Sequence, residues 1–203
     1  MTDYISVEEV MAEMPDTDWS GKYRDVLAGL VTRASRAIDR LTGREPGAYQ
    51  VATATVRYFD GSGGVCLWVD EMAAVPTAVA VSEDGSVTTY TDWAATDYTV
   101  WPYNAAAKGL PYLRLDVDQL NGSHALFYRF PKSVKVTARW GYSTAVPGDV
   151  QQAALVQTVR WFKRAQQAFQ DAGAIFDLGQ LRYVKQVDPD VAAIVEHYRR
   201  VAI

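Results

Sequence analysis

The spacing of apolar residues changes twice along this 203-residue chain, and this change limits the folds open to it. From about Ser20 to Thr42, and again from about Val146 to Asp171, apolar residues recur with the 3.6-residue period of an amphipathic helix. Between these segments, from about Gln50 to Ser143, short runs rich in valine, threonine and aromatic residues alternate with turn signals. The order of helix, strands and helix predicts an α+β fold.

Both ends of the chain carry signals for helix starts. Ser6 and Glu9 have the spacing of a capping box, which predicts a short helix before the first long one. Asp188 followed by Pro189 predicts the start of the last helix, with a possible strand, Leu181–Val184, before it. Neither helical end has another partner for its apolar stripe, so we expect the two ends to pack together as a small bundle.

The middle of the chain is expected to form a large antiparallel sandwich or barrel inserted between the helical ends. The chain should therefore divide into a helical domain of residues 1–46 plus 146–203 and a β-rich insertion of residues 47–145. The glycine-rich stretch Asp60–Gly64 is interpreted as a hairpin turn, because it lacks the Lys-Ser/Thr pair of a phosphate-binding loop. The predicted strands are Thr53–Phe59, Val65–Val69, Ala78–Ser82, Val87–Thr91, Tyr98–Trp101, Tyr112–Val117, Ala125–Phe130 and Val134–Trp140.

Composition narrows the classes of function. The net charge of −4 argues against a non-specific nucleic-acid-binding surface. The single cysteine, Cys66, excludes an intrachain disulfide, and its apolar neighbours predict a buried small side chain. No apolar run approaches the ~18 residues that a membrane span needs, and no secretory signal is visible. We therefore expect synthesis in the cytoplasm and no membrane partner.

The sequence contains no recognisable constellation for catalysis. Its two histidines, His124 and His197, are far apart and are expected on the surface, and no metal-binding motif occurs. Asp116 and Asp118 could present two carboxylates on one strand face, as glycosidases do, but a solvated strand or loop end is the better interpretation. We expect no enzymatic activity, no metal and no cofactor.

The chain is rich in aromatic residues, with 6 Trp and 12 Tyr. Those in the β-rich part have two interpretations: a sugar-stacking platform, as in a carbohydrate-binding module with helical flanks, or core and subunit-interface packing. The second is favoured, and it makes Trp93, Trp101 and Tyr103 candidate subunit-interface residues.

One combination of segments resembles a known family. The strand Val134–Tyr142 leads through Val146–Val150 into an alanine-rich helix that carries Trp161–Arg164. This order resembles the head–tail connector (adaptor, or head-completion) proteins of long-tailed bacteriophages. Further segments similar to the family are Ala37–Gly43, Val75–Val81, Asp97–Val100, and Asp188-Pro189 followed by Tyr198–Arg200.

The resemblance implies a structural virion protein without chemistry. Such proteins form a ring, typically of twelve copies, under the portal, extend the DNA channel, and join the capsid to the tail. The implied partners are further copies of the chain, the portal protein, and the next head-completion or tail-terminator protein. DNA would pass through the ring without sequence-specific binding. Assembly in the host cytoplasm and residence in the virion neck follow. Tyr198, Arg199 and Arg200 are then the candidate portal-docking residues, and another tail or baseplate protein is the alternative.

Overall fold

The structure is a computed structural model that describes residues 2–19, 22–170 and 187–200. It combines helices with antiparallel sheets, which confirms the predicted α+β class. The chain forms two compact units, one of Met1–Gly47 with Val146–Ile203 (the helical unit) and one of Ala48–Ala145 (the β unit). The predicted strand Leu181–Val184, and the predicted helix boundaries at Ser20 and Asp171, lie outside the described residues.

The elements follow the order expected from the apolar spacing, except for one short helix within the β unit that the sequence did not predict. The helices are α1 (Val7–Ala12), α2 (Lys22–Thr42), α3 (Ala105–Lys108), α4 (Gly148–Gln170) and α5 (Pro189–His197). The strands are β1 (Thr55–Phe59), β2 (Cys66–Met72), β3 (Ala78–Val81), β4 (Thr91–Trp93), β5 (Tyr98–Trp101), β6 (Tyr112–Val117) and β7 (Val134–Ala138).

Both predicted helix starts are confirmed. The Ser6 N–H donates to Glu9 Oε2 at 2.6 Å, and the Glu9 N–H donates to Ser6 Oγ at 3.1 Å, which completes the capping box of α1. At α5 the Asp190 N–H donates to Asp188 Oδ1 at 3.0 Å, with Pro189 in the first turn. These bonds satisfy N–H groups that have no partner inside the helix.

The helical unit is built around α2 and α4, which pack against each other, so the two ends of the chain share one core as predicted. Phe162 of α4 is fully buried, with its ring 5.1 Å from Trp19 and 6.0 Å from Tyr23. Helix α5 adds Val191 and Val195 to the buried set. Burial of an apolar side chain of this size stabilises the fold by about 1.5–3 kcal/mol, so these contacts hold segments remote in sequence together.

The β unit is a two-sheet structure with one core between the sheets. One sheet has four strands in the order β1-β7-β3-β4 and the other has three in the order β2-β6-β5, and all pairings are antiparallel. Inward residues of both sheets, among them Leu67, Leu115, Val79 and Val136, are buried in that core. The other side of each sheet therefore faces outward, on opposite sides of the unit.

The sheets are joined along one side. Strand β2 pairs with β6, but beyond a bulge its end turns to the chain that follows β7. There the Ala73 N–H donates to the Arg139 carbonyl and the Gly141 N–H donates to the Glu71 carbonyl, both at 2.8 Å. In the given strand orders, β4 and β5 lie at sheet ends, and the space beside them is a groove of about 610 Å³.

Three local predictions in the β unit were wrong. The stretches Val87–Thr91 and Ala125–Phe130 are not strands, apart from Thr91 at the start of β4. The glycine-rich loop Asp60–Gly64 is not a hairpin turn, because β1 and β2 belong to different sheets. Instead, the Gly63 N–H donates to the Phe127 carbonyl at 2.8 Å and the Phe127 N–H donates to the Gly64 carbonyl at 2.9 Å. The glycine-rich loop thus crosses between the sheets, and the stretch Ala125–Phe130 holds it in place through Phe127.

Cys66 is exposed, so the prediction of a buried thiol was also wrong. The reason is the alternation of side chains along a strand. On β2, Leu67 points into the core, whereas its neighbours Cys66 and Trp68 point outward. An apolar run did not mean burial on both faces here.

A candidate subunit interface on the β unit

Three large side chains form a row across the outward face of the three-stranded sheet. Trp68 on β2 lies directly opposite Arg114 on β6, and Arg114 lies directly opposite Trp101 on β5. The guanidinium carbon is 5.3 Å from the Trp68 ring centre and 4.9 Å from that of Trp101. The indoles themselves are edge to face, 5.7 Å apart. We call these three residues the Trp–Arg–Trp row.

Asp116 fixes the charge in the middle of the row. Its Oδ2 accepts a hydrogen bond from Arg114 Nη2 at 2.7 Å, with both side chains mostly shielded. This bond is the main cause of a raised pKa of Arg114. The guanidinium is therefore always charged and held in place between two aromatic faces, an arrangement worth about 0.5–2 kcal/mol per cation–π contact. Because Asp116 cancels its charge, the row attracts neither anions nor cations strongly.

Cys66 lies on the same face, directly opposite Asp116. A hydrogen bond with Asp116 is the largest cause of a raised pKa of the thiol. Since the thiolate is the reactive form, this environment disfavours a catalytic nucleophile. The exposed thiol can instead serve as a natural labelling site that reports whether this face is accessible.

The predicted interface residues have different positions in the structure. Trp101 is half-buried within the row, and Tyr103 is 68% exposed and lines the groove with Val75. Trp93 is only 5% exposed, stacked on Phe127 at 5.0 Å. A side chain in the core has no free surface for a neighbour, so Trp93 is left out of the interface proposed below.

Trp68 and Arg114 were not among the residues selected from the sequence. Trp68 is 46% exposed, which is unusual for a tryptophan. The signal that could have found them is the alternation along β2 and β6, which places both outward. Exposed Trp and Tyr with Arg are the residues enriched at protein interfaces.

His124 is more enclosed than predicted. Its ring stacks on Trp93 with centres 4.5 Å apart, Nδ1 is 3.3 Å from Glu83 and Nε2 is 3.8 Å from Asp97. The carboxylate of Asp97 accepts hydrogen bonds from the Ser123 N–H at 2.8 Å and the Ala94 N–H at 2.6 Å, which lower its pKa. This cluster ties two loops to the core, whereas His197 is exposed as predicted.

The two carboxylates considered for a glycosidase are not presented together. Asp116 is bonded to Arg114, as described, and Asp118 lies beyond the end of β6. Asp118 accepts hydrogen bonds from Leu120 N–H and from both the backbone and the side chain of Asn121, all at 3.0 Å. These bonds lower the pKa of Asp118, led by the Asn121 side chain, and give it the role of closing a turn.

The candidate portal-docking residues follow α5. The Arg200 N–H donates to the Thr42 carbonyl at 2.9 Å, and the Arg44 guanidinium donates to the Tyr198 carbonyl. The backbone of this basic segment is thus attached to the end of α2. Arg199 still exposes 67% of its side chain and lies 3.7 Å from Glu196.

Within the described ranges, no group of three or more His, Cys, Asp or Glu side chains could hold a metal ion. No helix among the same residues is long and apolar enough to cross a membrane.

Comparison with known proteins gives a likeness of fold. No family model and no curated protein matches the sequence. A chain of the solved structure "Neck of empty GTA particle computed with C6 symmetry" superposes with a TM-score of 0.55 at 15% identity, covering 98% of this chain and 91% of that one. A chain of "Neck of native GTA particle computed with C12 symmetry" gives a TM-score of 0.49 at 15% identity, with coverages of 100% and 96%. At this identity the first likeness establishes a common fold.

Proposed function

We propose that this chain is a structural neck subunit that joins the head of a phage-like particle to its tail. The observation that carries the proposal is the fold shared, over 98% of this chain, with a chain from the neck of a GTA particle. The shared fold includes both units, so the likeness is not that of one common small domain. The fold likeness and the family resemblance of the sequence both suggest a protein of the particle neck.

In the proposed role the chain forms a ring under the portal, extends the DNA channel and offers a platform to the next head-completion or tail protein. The family resemblance suggests twelve copies. The related neck was computed with C6 symmetry, which is compatible with rings of six or twelve. A net charge of −4 suits a channel through which DNA must slide without being held.

The arrangement of polar groups supports a role in assembly over one in chemistry. Three carboxylates of the β unit, Asp97, Asp116 and Asp118, accept hydrogen bonds of 2.6–3.0 Å from neighbouring groups of the same unit. Exposed residues of the β unit include the large aromatic side chains of Trp68, Tyr58 and Tyr103. In the helical unit, Arg199 is an exposed cation near the end of the described chain. Arg199 is our candidate for an acidic surface of the portal, with Tyr198 and Arg200 anchoring the segment that carries it.

The proposal is tested by the assembly state of the purified protein, alone and with its portal. Negative-stain images should show rings of six or twelve copies with an open centre, and the rings should cap the portal. Arg199→Glu should weaken portal capture but leave ring formation intact, and Arg33→Glu, another exposed arginine of the helical unit, is its matched control. Three-fold particles would indicate the baseplate alternative. A chain that forms no ring under either condition would contradict the proposal.

A further inference from the structure

The outward faces of both sheets in the β unit carry exposed aromatic side chains. Outward faces of a free-standing antiparallel sandwich are normally polar, because only the inner faces are buried. Here Trp68 is 46% exposed on the three-stranded sheet, and Tyr58 and Val56 are 51% and 43% exposed on the four-stranded sheet. Since one core lies between the sheets, the two faces lie on opposite sides of the unit.

The face of the four-stranded sheet has its own ordered row. Tyr58 on β1 is opposite Lys135 on β7, Lys135 is opposite Ala80 on β3, and Ala80 is opposite Asp92 on β4. The Tyr90 ring lies 6.1 Å from the Tyr58 ring and 5.9 Å from Lys135 Nζ. We call Val56, Tyr58, Tyr90, Lys135 and Asp92 the tyrosine face.

We infer that the Trp–Arg–Trp row of one copy packs against the tyrosine face of the next copy. A closed ring requires heterologous contacts, in which each subunit offers two different and complementary surfaces. The β unit offers two such surfaces, on opposite sides, which is the placement that lets each copy touch two neighbours. This inference rests on the proposed function, since it assumes that copies assemble side by side.

Charge favours another copy of the chain as the occupant. Arg114 and Asp116 cancel on one face, and Lys135 and Asp92 carry opposite charges on the other. Neither face therefore repels its counterpart, and neither gathers the cations that a nucleic acid or an acidic protein would require. Aromatic rings on both faces supply contact area at little cost in side-chain freedom.

The test uses one disabled face per variant. Trp68→Glu places a charge in the row and Tyr58→Glu places one in the tyrosine face, while Leu120→Glu is the matched control at a loop residue that is 94% exposed. At concentrations at which the wild type assembles, each face variant alone should remain monomeric. The protein concentration that each variant needs for assembly should rise at least about tenfold, as for an interface hot spot. The control should assemble normally.

Mixing the two face variants gives the distinguishing result. The Trp68→Glu chain keeps an intact tyrosine face, and the Tyr58→Glu chain keeps an intact Trp–Arg–Trp row. A heterologous contact therefore predicts that the mixture forms one-to-one pairs, seen by native mass spectrometry, which go no further. A mixture that stays monomeric at protein concentrations well above those at which the wild type assembles would overturn the inference.

Cys66 supplies an independent readout because it is the only cysteine and lies on the row's face. Its maleimide labelling should slow by about tenfold on wild-type assembly, because access to the thiol controls its reaction. Thr99→Arg, on the same face but outside the stacked rings, should prevent both assembly and protection. It serves as a second variant if Trp68→Glu misfolds.

The outcomes separate this inference from the proposed function. Normal rings formed by Trp68→Glu or Tyr58→Glu, with Cys66 still fully reactive, would overturn the interface and leave the neck role intact. One-to-one pairs of the face variants without rings from the wild type would support the interface and count against the neck role. A wild-type chain that stays monomeric with a reactive Cys66, alone and with the portal, would overturn both.

Discussion

Removal of the Phe162 ring should lower the free energy of unfolding of the helical unit far more than a substitution on its surface would. Phe162 is fully buried on α4, and its ring meets Trp19 and Tyr23, which precede or begin α2. Phe162→Ala removes the ring and leaves a cavity, at a cost of about 3–5 kcal/mol. Whole domains are stable by only about 5–15 kcal/mol, so this single change removes a large share of that stability.

The assay is urea unfolding followed by far-UV circular dichroism, which reports mainly on the helices. With a slope of about 2 kcal/mol per molar urea, the midpoint should fall by about 2 M. The control Phe162→Leu keeps most of the volume and should cost less than about 1.5 kcal/mol. A double-mutant cycle with Tyr23→Leu should give a coupling of about 0.5–1.5 kcal/mol. A loss below about 1 kcal/mol for Phe162→Ala would refute the shared core of the two chain ends.

Four further predictions concern protonation and close packing. Hydrogen bonds lower the pKa of Asp97, and the bond from the Ser123 N–H has the largest effect. The contribution of Asp97 to stability is therefore present above about pH 4 and lost as the pH falls through the lowered pKa. Asp97→Asn should make the melting temperature depend less on pH below about pH 4. Burial raises the pKa of Asp39, a residue of α2, so its effect on stability is the reverse of that of Asp97. Stability should fall as the pH rises from about 4 through the raised pKa, and Asp39→Asn should abolish this decrease in melting temperature. A Cβ added at Gly61 would overlap the Tyr128 carbonyl, so Gly61→Ala should lower the melting temperature of the β unit. The control is Gly64→Ala, where an added Cβ would meet only Ser62 Oγ at 3.9 Å, and it should be nearly neutral. Asp116→Asn should lower the pKa of Cys66 and speed its alkylation near pH 8, and an unchanged rate would refute the hydrogen bond as the cause.

Local signals in the sequence predicted the four helices α1, α2, α4 and α5 of the helical unit and most of the strands, but not the short helix α3. The capping box at Ser6 and the cap at Asp188 each depend on residues within three positions, so the chain itself displays them. Strand β7 was also predicted correctly, because its residues alternate cleanly between core and surface. The stretch Ala125–Phe130 has the composition of a strand but is used to hold the glycine-rich loop, a choice that depends on partners more than sixty residues away.

The candidate interface was harder to predict, because it depends on register. Counting aromatic residues selected Trp93, which faces the core, and overlooked Trp68, which faces outward. A slip of one residue in pairing would exchange the two faces of a strand. The row of Trp68, Arg114 and Trp101 exists only when three strands align, and no single segment of sequence contains that alignment.

The size of the two faces bears on how the chain should assemble. A stable protein interface buries about 1,200–2,000 Å² in total. The two faces carry four aromatic side chains, which are already partly covered, with Trp68 and Tyr58 exposing 46% and 51% of their surface. At about 150–250 Å² for a fully exposed aromatic residue, they together supply less than about 1,000 Å². One contact of this kind is therefore expected to be weak between two isolated copies. In a closed ring every copy makes two such contacts, and leaving the ring requires both to break, so rings should persist at concentrations where the one-to-one pairs of face variants dissociate. Sedimentation velocity across a dilution series would measure both thresholds. If the pairs persisted to the same dilution as the rings, a single contact would be sufficient, and the area argument would be wrong.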